Sequence, residues 1–290
     1  AFHNRLEHNT WMSAQTREAA LKKLASFEIQ VGYPNEWRDY SDLVVKKGDV
    51  YGNAERAFAF DWHYQLSHLD KVVDHNEWLM SPATVNAYNN PRFVEVVFPA
   101  AILQPPFFNP KADPAVNYGA IGGVIGHEMT HSFDDKGRKY DDKGRLRNWW
   151  TKEDEARFQK LADRFGAQYD AFEVQPGVHV NGQLTMGENI ADLGGLTLAL
   201  DAYHASLNGK PAPDIDGLTG DQRVFMGWAQ VWREKVRPDT EKQMVVIDPH
   251  SPPKARVNIP MHNVDLWYKA WNVQPGDKLY LTPDQRVKIW

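Results

Sequence analysis

The stretch GGVIGHEMTHSFDD, residues 122–135, contains the pattern HEMTH at residues 127–131 and guides the interpretation of the whole chain. Residues four apart on a helix share a face, so the imidazoles of His127 and His131 could bind one cation. Glu128 would be rotated by about 100° from His127, which places its carboxylate beside the cation rather than on it. The pattern is typical of a hydrolytic zinc site with two ligands and a general base. On this motif alone, a helix with two ordinary histidines is the alternative.

A catalytic zinc needs a third protein ligand and one open position. Since the chain has no cysteine, we predict that Glu188, in the segment GENIADLGG, is this ligand. Asp192 would lie on the same helix face, where a carboxylate can orient a ligating imidazole. Asp134 and Asp135 follow the second histidine and are further candidates for that orienting role. Apolar neighbours of Glu188 and Asp192 favour a buried site over a solvated helix face, and two histidines with one carboxylate suit zinc.

The bulk composition is that of an ordinary globular protein and excludes several functional classes. Of 290 residues, 42% are hydrophobic and 24% charged, and the net charge of −5 argues against a broad surface for nucleic acid. The longest apolar run, VVFPAAIL at residues 96–103, is too short to span a bilayer. The absence of cysteine excludes disulfides. Because the chain begins with Ala1, we interpret it as a processed or excised piece, with any targeting signal upstream.

Hydrophobic periodicity and capping signals predict a mainly α fold with a small β-sheet, in the α+β class. Two strands are predicted within residues 84–100, a hairpin around Asn181-Gly182 and a proline-rich loop at 249–260. Glycines in the motif helix indicate close packing against another element. Helices are predicted at residues 13–31, 55–72, 117–135, 151–172, 186–207, 219–236 and 263–272.

Five segments together resemble the neprilysin-like zinc metallopeptidases, the family of neprilysin and endothelin-converting enzyme. The resemblance extends over nearly the whole chain, includes the C-terminal GDKLYLTPDQRVKIW, and is closest to cysteine-free bacterial members. In chain order, the segments are VNAY (85–88), VFPAAILQPPFF (97–108), VIGHEMTHSFDD (124–135), GENIADLGG (187–195) and HSPPKARVN (250–258).

The resemblance implies a gluzincin-type, thermolysin-like catalytic domain at residues 81–290, with residues 1–80 as a flanking helical segment that packs on it. Family members are more than twice as long, and this chain resembles only their C-terminal, catalytic part. We therefore hypothesise a companion chain, the N-terminal cap lobe of the same precursor, which must be held without disulfides. The resemblance also implies an extracytoplasmic location, periplasmic or secreted, in a bacterium.

The resemblance also implies a role for each matching residue. His127, His131 and Glu188 would bind one Zn²⁺ per chain. Glu128 would act as the general base and Asp192 would orient a zinc-binding histidine. The predicted substrate contacts are His250 at the transition state, Arg256 at a substrate carbonyl, Asn86 and Ala87 at the substrate backbone, and Ile102, Phe107, Val124, Val231 and Trp232 around the side chain after the scissile bond.

These roles predict a zinc-dependent endopeptidase that cleaves oligopeptides before a large hydrophobic residue. One alternative is a zinc peptidase of a different, thermolysin-like type, which the spacing from His131 to Glu188 disfavours. Another is a non-catalytic half that holds zinc, binds peptides and needs its companion chain for activity. Two departures from the family pattern are Ser132, where glycine is usual, and Gly123, where animal members carry a bulky apolar residue. From Gly123 we predict a roomier pocket.

Overall fold

A computed structural model describes all residues 1–290, and helices dominate it. The strands are β1 (Glu28–Gly32), β2 (Tyr88–Asn90), β3 (Glu95–Pro99), β4 (Glu173–Gln175) and β5 (Val178–His179). The helices are α1 (Phe2–Glu7), α2 (Ala14–Ala25), α3 (Val50–Leu66), α4 (Pro114–Asn117), α5 (Gly123–His131), α6 (Lys152–Asp170), α7 (Met186–Ser206), α8 (Gly220–Val231), α9 (Pro238–Ile247), α10 (Pro253–Asn263) and α11 (Asp265–Trp271). The predicted α+β class is confirmed, and none of the helices is long and apolar enough to cross a membrane.

The larger sheet has three strands in the order β1-β3-β2. Strand β1 runs parallel to β3, and β2 runs antiparallel to it on the other side. Strand β2 therefore lies at an edge of the sheet and leaves one side of its backbone without a strand partner. All five residues of β3 are buried.

Helices α5 and α7 cross at close range, and this contact positions the two parts of the predicted metal site. A Cβ added to Gly126 of α5 would lie 2.9 Å from Cα of Gly195 on α7. In the other direction, a Cβ added to Gly195 would lie 2.5 Å from the carbonyl oxygen of Gly123. Only glycine allows this approach, so the predicted packing explanation for the motif glycines is confirmed.

The main core lies between these helices and their neighbours, and it includes the N-terminal segment. Phe2 and Leu6 of α1 and Ala20 of α2 belong to the same buried cluster as Phe158 of α6 and Ile190 of α7. In contrast, the 17 residues of α3 include none that is buried. The first 25 residues thus pack on the rest of the chain, whereas α3 does not.

Several element predictions are wrong in their details. Residues 28–32 form strand β1 instead of continuing helix α2, and the hairpin turns at Pro176-Gly177 rather than at Asn181-Gly182. Residues 253–263 form helix α10 within the stretch predicted as a proline-rich loop. Helices α1 and α9 were not predicted. None of these differences alters the motif helix or helix α7.

Candidate active site

His127 and His131 lie on one face of α5, and Glu188 approaches them from the first turn of α7. The Nε2 atoms of the two histidines are 3.0 Å apart. Glu188 places Oε2 3.2 Å from Nε2 of His127 and Oε1 3.5 Å from Nε2 of His131. One ligand atom from each residue lies within 4.8 Å of the other two, and no other group of this kind occurs in the chain. The three predicted ligands therefore meet at one point.

The other ring nitrogen of each histidine faces a carboxylate. Nδ1 of His127 lies 2.9 Å from Oδ1 of Asp192, and Nδ1 of His131 lies 2.7 Å from Oδ2 of Asp134. An ionised carboxylate only accepts hydrogen bonds, so each Nδ1 carries a proton, and loss of the second ring proton leaves a lone pair at Nε2 for a cation. Asp192 and Asp134 thus each contact one ring, as an orienting partner would, whereas Asp135 makes no hydrogen bond to either ring.

These lone pairs make the site suitable for a cation. Oε2 of Glu188 is buried without a hydrogen-bond partner, although it lies close to an imidazole nitrogen. Burial acts to raise the pKa of Glu188, but His131 and His127 hold it well below its usual range, so the carboxylate is ionised at neutral pH. Two imidazole nitrogens and one carboxylate are a typical ligand set for catalytic zinc. The residues present therefore fit Zn²⁺.

A buried ion pair lies next to the predicted ligand His127. Arg256 donates from Nε to Oδ2 of Asp192 at 2.7 Å and from Nη2 to Oδ1 at 2.8 Å. Its guanidinium stacks on the Trp232 ring, 3.7 Å from the ring centroid. Burial acts to raise the pKa of Asp192, but Arg256 and His127 hold it below its usual range. Nη1 of Arg256 has no hydrogen bond within the chain, which leaves it available to a substrate carbonyl.

His250 reaches the site from the loop before α10. Its Nε2 lies 3.3 Å from Oε2 of Glu188, and its Nδ1 lies 2.8 Å from Oδ1 of Asp248. Oδ1 of Asp248 also accepts the backbone N–H of His250 at 2.9 Å. Sequence reasoning missed Asp248. The signal was available, because an aspartate two residues before a polar residue commonly accepts its backbone N–H in an Asx-turn.

Glu128 lies next to the ligands with its carboxylate unengaged. The residue is buried, borders the cavity and makes no hydrogen bond or ion pair with another residue. The two other cavity carboxylates, Asp134 and Glu188, both contact imidazoles. Glu128 is therefore the one carboxylate of the cavity that can accept a hydrogen bond from a water molecule without losing an internal partner.

The ligands open into a cavity of about 640 Å³. Edge strand β2 and the residues before it form one wall, and apolar residues form another. The predicted site residues that line it are Asn86, Ala87, Ile102, Phe107, Val124, His127, Glu128, His131, Glu188, Trp232, His250 and Arg256. The lining residues that sequence reasoning missed are Met80, Val85, Tyr88, Asn89, Pro91, Lys136 and Gly137.

Two pocket predictions do not agree with this arrangement. Val231, the last residue of α8, is not among the residues that line the cavity. Gly123 does not widen the pocket either, because a Cβ added there would lie 2.6 Å from the ring of Trp228. The indole of Trp228 fills the space that a larger residue at position 123 would need. The roomier pocket therefore stays a prediction, which Gly123 by itself does not support.

Comparisons with known proteins agree with this site. A model described as "Peptidase family M13" matches residues 86–287, and a second model with the same description, for the N-terminal region, matches residues 1–34. Human endothelin-converting enzyme 1 is 36% identical over 301 residues, which cover all of this chain and 39% of the relative. The neutral endopeptidase of Lactococcus lactis strain IL1403 is 37% identical over 290 residues, which cover 99% of this chain and 44% of the relative.

Solved structures agree as well. The zinc metalloprotease Zmp1 of Mycobacterium tuberculosis, in complex with an inhibitor, superposes with a TM-score of 0.97 at 52% identity, over all of this chain and 45% of that chain. PepO from Lactobacillus rhamnosis gives a TM-score of 0.90 at 39% identity, with the same coverage. This chain spans about two fifths of the length of the curated relatives that it matches.

Proposed function

The chain belongs to peptidase family M13, and from this premise we propose that it is the catalytic part of a zinc-dependent endopeptidase that hydrolyses oligopeptides. The observation that carries the proposal is the convergence of His127, His131 and Glu188 beside the unengaged carboxylate of Glu128, in one cavity. A structural zinc site is closed by its protein ligands, whereas a catalytic site keeps a position open. Three ligands at the floor of a cavity match the catalytic kind.

The proposed mechanism assigns one task to each group. Bound zinc would supply a Lewis acid that polarises the scissile carbonyl and acidifies the attacking water. Glu128 takes the proton of that water and then delivers it to the nitrogen of the leaving amine. Asp192 and Asp134 keep the two ligand imidazoles in the tautomer that presents Nε2 to the metal.

Four further residues act on the substrate itself. Nε2 of His250 donates to the oxyanion, and the carboxylate of Asp248 at Nδ1 holds the ring in place. Nη1 of Arg256 donates to a substrate carbonyl. Asn86 and Ala87, directly before the edge strand β2, pair with the substrate backbone as an added strand would. These contacts hold the peptide in register with the attacking water.

The apolar wall supports a preference for a large hydrophobic residue after the scissile bond. Ile102 and Val124 belong to a small buried cluster, and Phe107 packs against it. With the indole of Trp232, these side chains form the part of the cavity that is suited to an apolar group. The non-catalytic alternative is not favoured, because zinc binding alone does not require a carboxylate without a hydrogen-bond partner, such as that of Glu128, at the cavity.

A peptidase assay with controlled zinc content tests this function. We expect the chain, supplied with the N-terminal part of its precursor, to cleave a fluorogenic peptide with leucine or phenylalanine after the scissile bond. A chelator should abolish cleavage, and added Zn²⁺ should restore it. The matched control is the same peptide with aspartate at that position, which the apolar wall should reject. Cleavage that persists in the zinc-free protein, or no cleavage by the zinc-loaded protein, would overturn the proposal.

We also propose that an N-terminal lobe of the same precursor covers residues 29–85. This stretch carries 17 of the 25 large hydrophobic residues that the chain exposes, although it is only about a fifth of the length. Tyr51 and Phe58 of α3 are both at least three-quarters exposed. An unsupported helix with such a surface is unfavourable in water. We keep residues 81–290 as the proposed catalytic domain, with α1 and α2 as the part of the flanking segment that packs on it.

Native mass spectrometry tests the companion lobe. We expect the active particle to be heavier than the 33.2 kDa of this chain, or to contain it within a longer polypeptide. We expect the isolated chain to bind a hydrophobic dye and to lose that binding when the lobe is added. A lone species of 33.2 kDa with full peptidase activity would refute the companion. An extracytoplasmic location, which the resemblance implies, is proposed on the same basis.

A further inference from the structure

Lys23, on helix α2, is a fully buried cation on the far side of the metal site. Its ammonium donates three hydrogen bonds to backbone carbonyls, at 2.6 Å to Ser132, 2.9 Å to Gly137 and 2.7 Å to Tyr140. An ammonium has three donors, so every one of them is used. Burial lowers the pKa of Lys23 to about 7, against the opposing effect of Asp134 and Asp141.

All three carbonyls belong to one loop, residues 132–140, which begins directly after the ligand His131. The loop carries Asp134, whose Oδ2 accepts from Nδ1 of His131 at 2.7 Å. Oδ1 of Asp134 accepts the backbone N–H groups of Lys136 at 2.8 Å and Gly137 at 2.7 Å. The carboxylate that orients the ligand is therefore fixed by the same turn that Lys23 holds through the Gly137 carbonyl.

The loop has little room to adopt another path. A Cβ added to Gly137 would lie 1.8 Å from the carbonyl oxygen of His131, so the turn folds tightly against the end of α5. On the other side, Nδ2 of Asn89 on β2 donates to Oγ of Ser132 at 2.8 Å. Lys23 lies under this turn, with its Nζ 5.3 Å from the ring centroid of Phe133. The three hydrogen bonds of Lys23 hold the loop in place, and Lys23 itself does not line the cavity.

We propose that Lys23 is a positioning residue of the metal centre, which holds the loop at 132–140 so that Asp134 keeps the His131 imidazole aimed at the metal. The inference rests on the proposed zinc site and assigns part of it to the N-terminal segment of the chain. Lys23 contacts neither the ligands nor the substrate. It acts through the backbone turn and then through Asp134.

Zinc affinity measured with Lys23→Met, which keeps the length of the side chain and removes its donors, tests this role. Competition with a chromogenic chelator gives the zinc dissociation constant without any activity assay. We expect a 10- to 100-fold weaker affinity, which is about the loss that removal of an orienting partner causes. The matched control is Lys22→Met on the same helix. Lys22 is exposed and pairs only with Asp142 at the surface. The zinc affinity of Lys22→Met should therefore equal that of the wild type.

A double-mutant cycle separates positioning from general stability. Asp134→Ala alone should weaken zinc binding to a similar extent, and Lys23→Met added to it should cause little further loss, because both act through the same imidazole. The absorption spectrum of the Co²⁺-substituted protein should change in both single variants. If Lys23→Met lowers only the melting temperature and leaves the zinc dissociation constant unchanged, the proposal is overturned. Full additivity in the cycle would overturn it as well.

The wild-type protein provides the reference for the proposed function. If it does not bind zinc, the zinc site itself fails, whereas tight wild-type binding with unchanged binding by Lys23→Met rejects only the role of Lys23. If Lys23→Met does not fold, Lys23→Gln keeps an amide donor, and the rise in melting temperature on zinc addition replaces the competition assay. A zinc-induced rise as large as that of the wild type would count against the proposal, and a smaller rise would support it.

Discussion

Replacing Glu128 by glutamine is expected to leave zinc bound and to lower kcat by about 10²- to 10⁴-fold. The substitution keeps the size and shape of the side chain but removes its ability to take a proton. Because the carboxylate of Glu128 makes no hydrogen bond within the chain, no internal contact is lost. The change therefore isolates proton transfer from the structure of the site. Steady-state kinetics and the zinc content of the purified variant measure the two effects.

The kinetic comparison of Glu128→Gln with the wild type needs a control variant, in which a glutamate outside the cavity is replaced by glutamine. Glu153, in the first turn of α6, is exposed, and Glu153→Gln should leave kcat unchanged. Glu128→Gln should also retain the melting temperature of the zinc-loaded wild type. If it turned over peptides at the wild-type rate, another group would be the base. If it lost zinc, Glu128 would have a role in metal binding that its position beside the ligands does not suggest.

The candidate metal site was predictable from the sequence in its two halves, because helix geometry relates the residues within each half. A spacing of four brings His127 and His131 to one face, and the same spacing brings Glu188 and Asp192 to one face of α7. The structure then joins the two helices at their glycines. His250, in the loop before α10, and Arg256, in α10, were different, since only the family resemblance pointed to them. Local spacing carries no information about a contact that the tertiary fold creates.

The fold predictions failed where the local sequence pattern does not decide the conformation of the segment. The segment EIQVG (28–32) follows helix α2 without a proline or glycine before it, so the helical pattern predicts one continuous helix over residues 13–31. Its pairing with β3, a long-range contact, decides its conformation. Likewise residues 249–260 were predicted as a proline-rich loop, although Pro253 stands at the first position of α10, where a helix needs no backbone N–H.

The side-chain environment of Gly123 illustrates another limit of prediction from the sequence alone. The sequence could not show what fills the space next to it. Trp228, from a helix about 100 residues later, occupies it, and its Nε1 donates to the backbone carbonyl of Arg256 at 3.1 Å. A missing side chain is thus not by itself evidence for a larger pocket, because a side chain from elsewhere in the core can fill the space.

Removal of the carboxylate in Asp192→Ala is expected to lower the unfolding free energy of the zinc-free protein by about 3–5 kcal/mol. The guanidinium of Arg256 would then be buried without its bidentate partner, and only the longer contact to Glu188, at 3.6 Å, would remain. Zinc affinity should also fall, by about 10- to 100-fold, because Nδ1 of His127 loses its acceptor. Urea denaturation of the zinc-free protein and chelator competition measure the two losses separately.

The double variant Asp192→Ala with Arg256→Met distinguishes the two causes. Methionine removes the unpaired charge and still covers the Trp232 ring, so the double variant should regain much of the stability that the single variant lost. It should not regain zinc affinity, since His127 remains without its carboxylate. If stability and zinc affinity recovered together, Asp192 would act on the metal mainly through Arg256. Recovery of stability alone would mean that one carboxylate performs two separable tasks, neutralising Arg256 and orienting His127.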